Sequence, residues 1–377
     1  MLGSYASVLI GKGVPLPAPA EFTNAITGLE VQVSDDGRTG FQMNLAMGRS
    51  PVVGALDYDF LLSPLTAPFN RVILTVLVGG LPQVLVDGIV TDRQVNASSQ
   101  AGQSTLTLTG EDLTVKMDLE ERVVEHPAQN EMLIVLKILG QYAALGVAPF
   151  VVPPPSLDFP NPLERIPVQR GTDLSYLRTM ASRFGYVFYM DPGPVPGINK
   201  AYWGPPIRGG VPQPAITVGN DAHANCSSVN IQYNGLGPIK VNGQVKDRQL
   251  DVDLPVVAFA PLRFPLAALP SWLVQGGDVK TQIIDTSGLT YAQAFARAQG
   301  MVDAAADNVT VTGQIDVARY GGVLRPRGVV GLRGVGYMHD GLYYVKSVSH
   351  SLEPGGYTQS FTLEREGVGS TTPVVVP

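Results

Sequence analysis

Between Gly341 and Glu364 the chain reads as a strand, a tight turn and a second strand, and this pair constrains the fold more than any other segment. Within Leu342–Leu352, Ser347, Ser349 and Ser351 alternate with Val348, His350 and Leu352. Glu353-Pro354-Gly355-Gly356 then turns the chain into Tyr357–Glu364. A period of two places alternate side chains on opposite faces of a sheet, a pattern a helix cannot use. The same pattern opens the chain. Ile26–Val33 turns at Asp35-Asp36-Gly37 into Gly40–Met47, and Val72–Val78 turns at Gly79-Gly80 into Val84–Thr91. Ser104–Thr109 reads STLTLT, with Leu106 and Leu108 on one side and the threonines on the other. The 42 Gly and 31 Pro, spread without a short period, punctuate these runs. The first part of the chain is therefore expected to be a β-barrel or sandwich of about 100 residues.

The texture changes after residue 120. Asn130–Leu145 has helical spacing through Leu133, Leu136, Leu139 or Gly140, and Ala143. A Pro-rich passage follows, with Pro149, Pro153, Pro154, Pro155, Pro160, Pro162 and Pro167, and must be extended. Either Thr172 or Asp173 can cap a second helix that runs through Arg183. Leu174, Leu177, Ala181 and Phe184 form its stripe, Gly185 closes it, and Tyr186–Met190 is a strand. A second β region begins near Ile216. It contains Ile231–Tyr233, Ile239–Val245, the alternating Val309–Val317 and Val329–Arg333, the last entered from the turn Arg325-Pro326-Arg327-Gly328. Thr290–Ala306 interrupts it as a helix with Tyr291, Phe295, Ala298 and Val302 on one face. The expected division is an extended arm on a neighbouring chain (1–20), a first β unit (21–120), an α/β insert (121–215), a second β unit (216–370) and a tail (371–377). No sequence repeat relates the two β units.

Composition excludes several functions. Charged residues are 15% of the chain against 45% apolar, too few for disorder and suited to a chain that hides surface against partners. Of the formal charge of −6, all falls in residues 1–120, which hold 6 Lys/Arg and 12 Asp/Glu. No basic stripe is present, so direct nucleic-acid binding is not expected. The single cysteine, Cys226, allows no intrachain disulfide and fits a reducing cytosol. The N-terminus reads as carrying no signal peptide, so the N-x-[ST] triplets at Asn96, Asn225 and Asn308 are not expected to be modified. Met132–Val152 is the longest apolar stretch, but Lys137, Gln141 and the prolines make it a soluble helix rather than a membrane span.

Catalytic constellations are equally sparse. The four histidines are His126, His223, His339 and His350. His339 precedes the turn pair Asp340-Gly341, and the serines around His350 fall on the opposite face of its strand, where none can serve it as a nucleophile. No G-x-S-x-G elbow occurs. Cys226 has only His223 nearby, too little for a zinc site. Glu111-Asp112 and Glu120-Glu121 are adjacent carboxylates that point apart, unlike the facing pair of a glycosidase. Gly331, Gly334 and Gly336 follow a strand but open no helix, so they form no nucleotide loop. No catalytic, metal or cofactor residue is assigned.

Two segments carry a resemblance. Gly171–Asp191, GTDLSYLRTMASRFGYVFYMD, is similar to the helix-to-strand element T-D-x-x-F-L-x-x-L-A-x-x-x-G-Y-x-F of contractile-tail baseplate hubs, through Thr172, Asp173, Leu177, Ala181, Gly185, Tyr186 and Phe188. Gly341–Glu366 resembles the closing hairpin of those proteins, through Tyr344, Val345, His350, Gly356, Tyr357 and Phe361. The family comprises the phage late control protein D group and the N-terminal hub part of type VI secretion valine–glycine repeat spike proteins. Membership implies a mainly β chain with an α+β insert, two tail-tube-like β-barrels per chain, and a homotrimeric, pseudo-sixfold ring. It implies the inner tube protein, a spike protein and other baseplate components as partners, no cofactor, and assembly in the bacterial cytoplasm into a phage tail or injection-system particle. Because only a short tail follows Arg365, the spike is expected on a separate chain. The alternative is a tail-associated cell-wall or glycan hydrolase acting through Glu111 or Glu121.

Overall fold

The computed structural model describes residues 6–35, 37–48, 58, 60–100, 103–155, 159–163, 165–219, 224–246, 252–274, 278–286 and 289–371. The chain is mainly β. The alternation read in the sequence sets the buried faces: Phe41, Met43, Leu45 and Met47 point inward from strand Gly40–Met47, and Leu106 and Leu108 from strand Ser104–Asp112. They pack with Val8, Val31, Val72 and Leu74 into the core of the first unit. A second core joins Val311, Tyr343, Val345, Val348, Phe361 and Leu363. Removing each such side chain from water contributes about 1.5–3 kcal/mol.

These two cores lie along one sheet. Thirteen strands are connected, and strand Ile26–Ser34 pairs antiparallel with the closing strand Gly341–Glu353, Val31 opposite His350. Strand Gly341–Glu353 is long enough to serve three neighbours. It pairs with Gly356–Arg365 along one side, and on the other with Val329–Arg333 at its start and Ile26–Ser34 at its end. The β units expected to be separate are thus joined by backbone hydrogen bonds. No closed barrel forms among the described residues; the strand path ends at Cys226–Tyr233 on one side and at Ala6–Gly11 with Leu16–Pro17 on the other.

A shared device appears in both units. Phe41 stands directly across the ladder from Gly110, and Phe361 directly across from Gly313. A Cβ on Gly110 would overlap the Phe41 ring, and one on Gly313 would come within 2.7 Å of the Phe361 ring. Each ring lies over a backbone left bare by glycine, which restores the packing that glycine forgoes.

Three expectations are corrected. The segment read as an arm on a neighbouring chain folds back from Ala6: strand Ala6–Gly11 pairs with Arg71–Val78, because Val8 and Ile10 alternate into the first core and Pro15, Pro17 and Pro19 lie beyond the strand. Helix Glu131–Gly140 buries Ile134, Val135, Ile138 and Leu139, while Leu133 is exposed. Seven of its ten residues are large and apolar, so spacing alone did not select the face. Helix Tyr291–Ala305 buries Ala294, Ala298 and Val302 against strands Ile239–Lys246 and Asp253–Ala258. Tyr291 and Phe295 instead stack on each other at the surface, since only small side chains let the helix settle close to that sheet.

The insert has its own core around Leu139, Leu174, Leu177, Phe188 and Trp203. Strand Val147–Val151, within the Pro-rich passage, pairs on one side only among the described residues, parallel to Asn199–Gly204, an edge position that accommodates Pro149. Gly185 adopts a left-handed φ of 64° after helix Asp173–Ser182, and its backbone lies against Gly300 of helix Tyr291–Ala305. A Cβ on Gly300 would stand 2.5 Å from the Gly185 nitrogen, so both glycines are needed for this approach.

Candidate functional site

The residues that invited catalytic readings have structural partners. His350 is buried, and its Nδ1 lies 2.7 Å from the Tyr357 hydroxyl and 3.4 Å from Gln359 Nε2. Burial pushes its pKa down to about 3, so it is a neutral core histidine. His126 stacks on Tyr176, and burial, reinforced by Lys137, lowers its pKa. Burial and the nearby Arg365 do the same to His339. His223 lies outside the described residues. Glu111 is ion-paired with Arg38 at 2.6 Å. Asp112 points elsewhere, accepting from the backbone nitrogens of Thr39 (2.9 Å) and Thr114 (3.0 Å); burial raises its pKa against those bonds. Glu120 pairs with Arg122, and Glu121 sits exposed at the start of strand Glu121–Glu125. Cys226 is buried, with Sγ 3.3 Å from the Ser228 and Gln314 carbonyls. Asn225 and Asn308 spend their amides inside the fold, on Ala215 and on Ser271. Gly331 lies in a strand, while Gly334 and Gly336 take left-handed turns after it. Among the described residues no group of three His, Cys, Asp or Glu could hold a metal ion, and no helix is long and apolar enough to cross a membrane.

What the structure builds instead is a set of joints between units. The Thr172–Asp173 pair is one of them. Thr172 is the N-cap, its Oγ1 accepting from Ser175 N at 3.2 Å and donating to Asp118 at 2.6 Å. Asp118 also pairs with Arg38, which ties the helix start to the first hairpin. Asp173 is buried and accepts from Gln169 Nε2 (2.6 Å) and the Tyr142 hydroxyl (2.7 Å). A second joint is the two-pronged Arg71–Asp87 pair (2.7 and 2.6 Å), where Asp87 also accepts from Asn199 of the insert at 2.7 Å.

The third joint is centred on Arg327 and was not visible in the sequence beyond its turn. Its backbone has a φ of 65°, costly for a long side chain, and its nitrogen donates to Val345 O at 2.7 Å. The buried guanidinium donates to Ser34 O in the first unit (2.7 Å) and to Met190 O (3.4 Å) and Asp191 (3.1 Å) in the insert. It also lies over the Tyr189 ring, 3.7 Å from the centroid. One side chain from the second unit thereby fixes the other two parts. The positive φ is the signal that marks it, and only coordinates reveal it.

This architecture has the fold of phage tail proteins and of a type VI secretion component. A tail protein from Neisseria meningitidis MC58 superposes with a TM-score of 0.61 at 14% identity, covering 97% of this chain and 98% of that one. A 43 kDa tail protein of prophage MuSo2 from Shewanella oneidensis gives 0.62 at 12% identity over 96% and 98%. An Escherichia coli protein described as a component of the type VI secretion system gives 0.56 at 12% identity over 93% and 77%. No protein-family model matches the chain, and no curated protein matches it significantly.

Proposed function

We propose that the chain is a structural hub subunit of a contractile-tail or injection-system baseplate, adapting a sixfold inner tube to a threefold spike. The observation that carries this reading is the single open sheet shared by two β units. Apart from one bridge between Cys226 and Val218, strand Cys226–Tyr233 pairs on one side only among the described residues and is mostly exposed, while Leu16–Pro17, paired to Ala6–Gly11, lies at the other end of the path. Open edges of this kind invite pairing with another chain. In a head-to-tail ring of three copies, the edge of one chain meets the opposite edge of the next, and six β units line one lumen. Residues 21–120 and 216–370 are the two tube-like units and 121–215 the insert that braces them. The inner tube protein, a spike protein and other baseplate components are the partners, and assembly takes place in the bacterial cytoplasm. The role is structural rather than enzymatic: Glu111 is held by Arg38 and Glu121 stands on an exposed strand, so no facing carboxylate pair favours a hydrolase.

Light scattering coupled to size exclusion tests the reading. The 40.0 kDa chain is expected to elute as a trimer, three times that mass or about 120 kDa. A chain that stays monomeric at every concentration contradicts the proposal.

A further inference from the structure

A cavity of about 220 Å³ lies where the insert meets helix Tyr291–Ala305, and its wall is unusually cationic for an acidic chain. Three guanidinium groups line it from three separate segments: Arg165 near the end of the Pro-rich passage, Arg183 at the C-cap of helix Asp173–Ser182, and Arg297 from helix Tyr291–Ala305. Among the described residues Glu131 is the one carboxylate in the lining, and Asp285 acts on Arg297 from nearby. Neither Arg183 nor Arg297 forms a side-chain ion pair or hydrogen bond with a described residue. Arg297 is instead opposed by Arg183 and Arg165 and partly offset by Glu131 and Asp285, and burial is the leading cause of its lowered pKa. The Tyr176 hydroxyl, kept protonated by burial, and the Gln129 amide complete the lining with neutral donors.

Like charges gathered in a partly desolvated pocket repel one another, and folding holds them there at a cost unless an anion joins them. We propose that this pocket is an oxyanion site, binding a multiply charged group of phosphate size between Arg183 and Arg297. Guanidinium forks match tetrahedral and carboxylate oxygens through paired charge-assisted bonds, and a group of that size fits the cavity. The inference does not depend on the hub reading, because it concerns one chain alone. Two sources share this chemistry: a small phosphate compound, or paired carboxylates on an acidic segment of a protein partner.

Thermal shift and calorimetric titration of the full chain with inorganic phosphate, at ionic strength matched by sodium chloride, test it. Phosphate is expected to raise the melting temperature saturably where chloride does not. Arg297→Gln is expected to weaken phosphate binding by at least about tenfold, and Glu131→Gln to tighten it by removing the competing carboxylate. These single changes lie on half-buried lining residues, so a failure of one variant to fold leaves the other decisive. Citrate run in parallel separates the sources: stronger binding of phosphate favours the small ligand, stronger binding of citrate the acidic segment. Equal responses to phosphate, citrate and chloride, or a phosphate response unchanged in both variants, overturn the proposal.

Discussion

His350 offers a perturbation whose size follows from its surroundings. The unfolded imidazole titrates near 6.5, whereas burial holds the folded one at about 3. The folded pKa is depressed, so the contribution is fully present above pH 6.5 and is lost as pH falls toward 3, where the unfolded chain binds a proton that the folded chain refuses. At pH 5 the gap below 6.5 is about 1.5 units, which corresponds to about 2 kcal/mol. His350→Gln keeps an acceptor for the Tyr357 hydroxyl but cannot titrate. Urea unfolding of both proteins at pH 7.5 and pH 5, followed by tryptophan fluorescence, isolates this contribution. The other perturbed groups, including His126, His339 and Asp112, are common to both chains and cancel. The wild-type chain is expected to lose about 2 kcal/mol more than the variant between the two pH values. Parallel losses, within about 0.5 kcal/mol, would refute the reasoning that burial keeps this histidine neutral.

Three further outcomes are expected. Arg327→Met strips donors from the Ser34 and Met190 carbonyls and removes the cation over Tyr189; a loss of about 3–5 kcal/mol in denaturant unfolding is expected. Gly300→Ala drives a methyl into the Gly185 and Phe184 backbones, so helix Tyr291–Ala305 must shift, at about 1–3 kcal/mol, and hydrogen exchange should rise at that contact. Thr290→Ala breaks the capping box with Gln293 and is expected to lower stability by about 1 kcal/mol, with thermal melts as the check.

Much of the sheet was legible because alternation and turn chemistry are local. Gly40–Met47 matches its strand to the residue, and Thr290 and Thr172 cap the helices they were expected to open. What local patterns lack is the information that arises between distant segments. Helix Glu131–Gly140 is apolar on several sides, so its buried face depended on what packed against it. Val31 opposite His350, the bond that merges the two β units, spans more than 300 residues and leaves no trace in either strand. The common register of Phe41 over Gly110 and Phe361 over Gly313 likewise exists only across the ladder, which is why no sequence repeat announced it. The cationic pocket was invisible for the same reason: Arg165, Arg183 and Arg297 are ordinary surface residues until the fold brings them together.

Electron cryomicroscopy of the purified chain or its particle decides whether three chains close into a ring. The expected result is a threefold ring in which six β units surround one lumen, with strand Cys226–Tyr233 of each chain beside strand Leu16–Pro17 of the next. A particle of another symmetry, or a ring in which both strands face solvent, would contradict it.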